Sequence, residues 1–304
     1  MNSEVIDALS KIVLKENILK DEPMSRHTTF RCGGPATLFL RPGSEDELVR
    51  VVSLLKDNGQ PYMLLGNGSN LLVSDKGYQG AVISLERLSE LSLEGETSIR
   101  AQAGVLNSRI ASFAREHSLA GFEFAAGIPG TIGGAMIMNA GAYGGEMKLI
   151  TTSVRAITPD GEVKELSAED CDFGYRTSVL KREGYVVLSA LLQLQKGNEK
   201  EITDTMTELA LKRKEKQPLE YPSAGSTFKR PEGYFAGKLI EDAGLKGFSV
   251  GDAAVSDKHC GFVINKGQAT SADIYKLIRE VQKKVFEDSG VTLEPEVILV
   301  GEFD

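Results

Sequence analysis

The sequence predicts an α+β chain of several domains, and three observations carry that expectation. Apolar runs of strand length alternate with a few amphipathic helical stretches. Polar connections at residues 93–97 and 196–200 divide the chain. Two charge-free, glycine-rich segments interrupt the alternation, and at 304 residues there is room for two or three domains.

The elements follow in order. Ser44-Glu45-Asp46-Glu47 has the form of a capping box opening a helix, with Leu48, Val51, Val52 and Leu55 on one face. Asn58-Gly59 closes it, and a strand is expected over 62–65. A second strand at 80–85 precedes the polar connection 93–97, read as a boundary between subdomains, and a helix is expected over 107–117. Strand-like runs at 153–158, 162–166 and 185–194 are separated by turns such as Pro159-Asp160-Gly161. The linker at 196–200 leads into a helix at 201–216, and a further helix is expected near 235–243. A long helix is capped by Thr270 and Ser271, carries Ile274, Leu277, Ile278, Val281 and Val285 as a stripe, and stops at Gly290. A last strand occupies 297–300.

Residues 124–145 contain no charged side chain in 22 positions, and seven of them are glycine. The stretch is apolar, yet Gly127, Pro129, Gly130, Gly133 and Gly134 interrupt any membrane-spanning helix. The second such turn, Gly66-Asn67-Gly68-Ser69-Asn70, follows the apolar run 62–65 and lies in a charge-free window. A strand entering that turn exposes successive backbone N–H groups, which suits a pyrophosphate. The dinucleotide fingerprint fails because Leu71 stands where its third glycine belongs, and no phosphate-loop motif exists. Each loop alone fits an ordinary tight turn. Together they favour a cofactor with a diphosphate and a flat ring.

Composition narrows the classes. A net charge of −8 argues against general nucleic-acid or membrane-surface binding. The N-terminal residues alternate charged and apolar positions without a signal-type core, so a cytoplasmic protein is expected. Cys32, Cys171 and Cys260 are too widely spaced for a metal site or a disulfide framework, and His27, His117 and His259 read as structural or surface residues. Lys212, Arg213, Lys214, Lys216, Lys229, Arg230 and Lys238 form a local basic cluster, either solvated surface or a pocket for an anionic small molecule. Gly247-Phe248-Ser249-Val250-Gly251 matches a nucleophile elbow, but a helix rather than a strand is expected before it, which argues against a hydrolase.

Six segments in one order carry a resemblance: 66–72, 127–134, 139–144, Tyr175-Arg176-Thr177-Ser178, Ala224-Gly225-Ser226-Thr227-Phe228-Lys229 and Glu294-Pro295-Glu296-Val297. The chain resembles the UDP-N-acetylenolpyruvoylglucosamine reductase family over about residues 20–300, in its shorter second class. The resemblance implies an FAD-binding unit of the vanillyl-alcohol-oxidase type in two subdomains, 20–90 and 91–198. An α/β substrate-binding domain would follow at 199–304, with its last strand packing back on the FAD unit. It implies NADPH-dependent reduction of an enol ether in two half-reactions, with FAD bound non-covalently, in peptidoglycan precursor synthesis. Another FAD oxidoreductase of the same fold is the alternative. The inserted tyrosine-bearing loop of the longer class has no room here.

Carried over position by position, the resemblance makes Ser226 the proton donor, Arg176 the partner of the substrate carboxylate, and Glu296 the group assisting the enol form, protonated or sharing a proton. FAD would lie on Gly66, Asn67, Gly68, Ser69, Asn70 and Leu71, and on Gly127, Ile128, Pro129, Gly130, Thr131, Gly133 and Gly134. Asn139, Ala140, Gly141 and Ala142 complete that set. Tyr143 falls at the flavin or the substrate, and Lys216, Lys229, Lys238 and Lys246 are candidates for the diphosphate of a UDP-sugar. No metal is implied, and the oligomeric state is left open.

Overall fold

The computed structural model describes residues 3–303. The chain divides into two compact units. The first comprises the described residues up to Leu19, with Phe39–Asn67 and Ala81–Lys212; the second comprises Lys20–Leu38, Gly68–Gly80 and the described residues from Arg213 onward.

The first unit is organised by a five-stranded antiparallel sheet in the order Val163–Ser167, Thr151–Ile157, Val186–Gln193, Ser98–Gln102 and Leu91–Glu94. Ser98–Gln102 alternates, burying Ile99 and Ala101, which is the period-two pattern of a sheet face. The polar stretch read as a connection at 93–97 is therefore the end of one strand and the turn into the next, with Leu93 paired to Ile99. Its charges sit at a hairpin tip in water, which is why composition alone resembled a linker there.

The helix Glu45–Asp57 buries the four expected apolar residues. Ser44 Oγ accepts the Glu47 N–H at 3.2 Å, while the Glu47 carboxylate takes the Gly43 N–H at 2.7 Å, so the box closes one residue upstream of its usual donor. Tyr62–Leu65 pairs in parallel with the segment 81–84. Helix Asn107–Glu116 buries Ile110, Ala111 and Ala114.

The glycine-rich segment holds a short helix, Ile132–Met138, that periodicity did not reveal. Ile132, Ala135 and Met136 are buried, and Gly133 donates its N–H to the Ala103 carbonyl at 3.0 Å. A Cβ on Gly133 would lie 2.9 Å from the Ala103 Cβ, so only glycine permits that approach. Asn139 ends the helix in the left-handed conformation at φ 42°.

The second unit is built on a three-stranded meander, Ser249–Val250, Ala253–Val255 and Val263–Asn265. The helix Ser271–Ser289 buries its whole predicted stripe against a core that includes Phe30, Phe228, Leu239 and Ile240. Thr270 and Asp273 close a reciprocal capping box, and Asp75 accepts the Ser271 and Ala272 N–H groups at 3.0 and 2.9 Å. The last strand, Ile298–Val300, pairs in parallel with Leu71–Val73. Among the described residues no helix is long and apolar enough to cross a membrane.

Two predictions follow from this packing. Leu277 is fully buried in the core of the second unit, so Leu277→Ala should lower unfolding free energy by about 2–5 kcal/mol in a denaturant titration. An unchanged midpoint would mean that the helix is not packed as described. Burial also pushes the Cys32 thiol from its ordinary 9.0 up to about 11. The folded state thereby favours the protonated thiol, so this contribution to stability is intact below pH 9 and is lost as pH rises toward 11. With all three cysteines buried, a thiol reagent at pH 8 should label the protein only after unfolding; fast labelling of the native protein would contradict this burial.

Candidate active site

In the second unit, a short antiparallel ladder carries two of the expected catalytic residues. Phe228 bridges Pro295, the Glu296 N–H donates to the Thr227 carbonyl at 2.8 Å, and the Lys229 N–H donates to the Glu294 carbonyl at 2.8 Å. Thr227 is fully buried; its N–H donates to the Gly261 carbonyl and its hydroxyl accepts the Val263 N–H at 2.9 Å. That anchoring seats Ser226, next to it, on the exposed side. Its hydroxyl has no hydrogen-bond partner among the described residues. Ser226 thus immediately precedes the residue whose carbonyl accepts the Glu296 N–H.

Asn70, from the earlier glycine turn, holds the other edge of the ladder. Its Nδ2 donates to the Glu296 carbonyl at 3.1 Å, and its carbonyl accepts the Ile298 N–H at 2.9 Å. Gly68 lies so close to the His27 carbonyl that a Cβ would come within 1.9 Å, at a φ of +60°. The turn needs glycine for the fold itself, a demand that the cofactor reading had not included. Of the expected diphosphate lysines, Lys229 pairs with Glu294 and Lys238 with Asp242 one turn along its own helix. Lys216 ends the helix Glu199–Lys216.

Arg176 belongs to the first unit, where it sits in a turn closed by the Gly174 N–H donating to the Thr177 carbonyl at 3.0 Å. Its φ is 55°, and its guanidinium carbon lies 5.2 Å from the Tyr175 ring centroid. Lys181 Nζ donates to its carbonyl at 3.2 Å. Two buried side chains tie this turn to the glycine-rich segment. Ser178 Oγ donates to the Ile137 carbonyl at 2.8 Å, and Asn139 Nδ2 donates to the Gly174 carbonyl at 3.1 Å and to Glu146 at 2.8 Å. The Asn139 Oδ1 accepts the Lys148 N–H at 2.9 Å. Asn139, expected at the cofactor, therefore commits its amide to the protein. Asn139, Tyr143 and Arg176 all have positive φ, the kind of backbone that persists where the surroundings over-determine it.

The two glycine loops meet within the first unit. A Cβ on Gly66 would stand 2.6 Å from Thr131 Oγ1, and that hydroxyl is buried without a partner among the described residues. Beside it, Leu106 bridges Thr131 and the Asn107 N–H donates to the Gly130 carbonyl, while among the described residues both polar atoms of the buried Asn107 amide also lack partners. Unspent buried donors behind a glycine-walled turn fit the diphosphate end of FAD. Asn107 was missed because a single asparagine at a helix start reads as a cap.

The elbow motif does not form a nucleophile. The helix Ala236–Asp242 precedes it, and Ser249 lies in a two-residue strand of the meander. His259, read as structural, lies two residues from Gly261, whose carbonyl takes the Thr227 N–H.

Comparison with known proteins accords with this arrangement. Residues 36–167 match the FAD binding domain family, and residues 217–300 match the family described as UDP-N-acetylenolpyruvoylglucosamine reductase, C-terminal domain. The UDP-N-acetylenolpyruvoylglucosamine reductase of Caldanaerobacter subterraneus subsp. tengcongensis is 51% identical over 298 residues, covering 98% of each chain. That of Clostridioides difficile is 50% identical over 301 residues, covering 99% of each. The crystal structure of the Thermus caldophilus reductase aligns with a TM-score of 0.80 at 35% identity, over 93% of this chain and 98% of that one. An alkyldihydroxyacetonephosphate synthase shares the fold alone, at 18% identity and a TM-score of 0.51 over 64% of this chain and 41% of the other. The fold is the α+β FAD-binding architecture expected from the sequence. At this identity and coverage, the chain belongs to the UDP-N-acetylenolpyruvoylglucosamine reductase family.

Proposed function

We propose that the chain reduces UDP-N-acetylglucosamine enolpyruvate to UDP-N-acetylmuramate in peptidoglycan precursor synthesis, in the cytoplasm, with FAD as cofactor and NADPH as reductant. Its relatives carry the name of that reductase over their whole length. The observation that supports the reading most is the ladder that joins the two segments bearing Ser226 and Glu296, with the Ser226 hydroxyl exposed and without a hydrogen-bond partner among the described residues.

The chemistry that a bound FAD supplies is hydride transfer, taken from NADPH in one half-reaction and given to the terminal alkene carbon in the other. Thr131, Asn107 and the backbone around Gly66 would hold its diphosphate end. Ser226 Oγ–H gives a proton to the carbon beside the carboxylate, where negative charge grows as hydride adds to the neighbouring carbon. The planar fork of Arg176 binds that carboxylate and stabilises the enolate form of the charge. Glu296 assists the same form from the neighbouring strand. Serine is a weak acid, so the alkoxide left behind needs donors nearby; Lys229, in the same ladder, is the cation closest in sequence. Lys216, Lys229, Lys238 and Lys246 supply positive charge for the diphosphate of the substrate.

Another flavin oxidoreductase of the same fold would not need Arg176, Ser226 and Glu296 together. Ser226→Ala should slow reoxidation of the flavin by the enolpyruvyl substrate by at least about 10²–10³-fold, with flavin reduction by NADPH unchanged in stopped-flow absorbance. Equal loss in both half-reactions would remove Ser226 from the donor role.

A further inference from the structure

Two residues of the motifs take no part in the proposed chemistry, and both are buried: Asn139, which the resemblance places at the cofactor, and Ser178, to which it gives no role. Asn139 bonds the residue two before Arg176, and Ser178 stands two after it. Both ties land on residues 137–139, the end of the helix Ile132–Met138.

The Asn139 amide has no hydrogen left for a flavin. Its Nδ2 donates to the Glu146 carboxylate at 2.8 Å and to the Gly174 carbonyl at 3.1 Å, and its Oδ1 takes the Lys148 N–H at 2.9 Å. At 2% exposure the residue is closed off by the protein's own atoms. Glu146 is itself paired with Lys148 Nζ at 3.1 Å, so the acceptor is fixed. Ser178 Oγ donates to the Ile137 carbonyl at 2.8 Å and accepts the Lys181 N–H at 3.4 Å as the N-cap of the helix Val179–Arg182. Lys181 Nζ then donates to the Arg176 carbonyl at 3.2 Å. Between these ties Arg176 is left-handed at φ 55°, a conformation that arginine disfavours and glycine would adopt freely. The backbone alone therefore gives no reason for an arginine at this position, and the bonds at 174 and 178 hold it there against its own preference.

We infer that Asn139 and Ser178 are positioning residues for substrate binding: by fixing the backbone on either side of Arg176 they aim its guanidinium at the enolpyruvyl carboxylate, and neither side chain is a flavin ligand. The inference rests on the role proposed above for Arg176 and moves the Asn139 side chain from the cofactor to the substrate.

The test uses the full-length, FAD-loaded protein and a double-mutant cycle. Asn139→Gly keeps the left-handed backbone and removes the amide. Ser178→Ala cuts the second tie independently, and each is combined with Arg176→Ala. Calorimetric titration with UDP-N-acetylglucosamine enolpyruvate should show binding weakened roughly five- to fiftyfold in each single variant, because the charged grip on the carboxylate loses its aim. In the Arg176→Ala background the same changes should weaken binding by less than about twofold further, since the group they act through is gone. Affinity for UDP, which has no carboxylate, and FAD content should stay within about twofold of wild type throughout. Wild-type affinity for the enolpyruvyl substrate in Asn139→Gly and Ser178→Ala would overturn the inference, as would a full additional loss in the Arg176→Ala background. Loss of FAD in Asn139→Gly with substrate affinity retained would return that side chain to the cofactor. Parallel loss of FAD, thermal stability and affinity for both ligands in both variants would mark a purely structural tie and overturn the inference too. Wild-type affinity in Arg176→Ala would remove the role proposed for that arginine, and a wild-type protein that binds FAD but no enolpyruvyl substrate would sink the proposed function itself.

Discussion

One hydrogen-bonded ladder holds together the part of the second unit that carries Ser226 and Glu296: residues 226–229 run against 294–296, and Asn70 bonds the far edge. Backbone groups supply nearly all of it, so the positions of Ser226 and Glu296 follow from register rather than from side-chain packing. Register is a discrete quantity. A slip by one residue would turn Glu296 to the opposite face and bring Pro295 or Val297 into its place. Buried Thr227 guards against that slip with its N–H to Gly261 and its hydroxyl to Val263. A buried residue whose backbone N–H and side-chain oxygen are both engaged specifies one arrangement, because each alternative leaves a donor or acceptor unpaired.

The first unit uses the same logic with different parts. Asn139 breaks the helix Ile132–Met138 in a left-handed conformation and spends its amide on Glu146, Gly174 and Lys148. Ser178 reaches Ile137 from the other side. The turn that presents Arg176 is thereby fixed to the end of the glycine-rich segment. In the role proposed for Arg176, a side chain that meets growing charge on a substrate carboxylate gains most when its backbone needs no rearrangement at the moment of reaction. The conformational cost of the positive φ at Arg176 is borne by those surrounding bonds.

Helices with a strong apolar stripe were legible in the sequence to within a residue or two, as Glu45–Asp57 and Ser271–Ser289 illustrate. Local signals sufficed there, because capping and periodicity act over a few residues. The hairpin around 93–97 resembled a linker because its tip is polar and the strand that joins it to the sheet, Val186–Gln193, lies far along the chain. The helix Ile132–Met138 was hidden by two glycines that local propensity penalises, one of which, Gly133, close packing on Ala103 requires. Ser226, Glu296 and Arg176 were accessible only through the order of motifs; nothing in a lone serine or glutamate announces a ladder partner 70 residues away. The buried Asn107 amide escaped altogether, since polar atoms left without partners among the described residues become visible only after folding.

The central claim is that one chain binds FAD through its glycine turns and passes reducing equivalents to an enolpyruvyl sugar nucleotide. Anaerobic absorbance of the purified protein tests it most directly, with NADPH added first and UDP-N-acetylglucosamine enolpyruvate second. The yellow flavin band should bleach with NADPH and return when the substrate is added. Bleaching without return would contradict the substrate assignment, and a protein that takes up no FAD would contradict the reading of both turns.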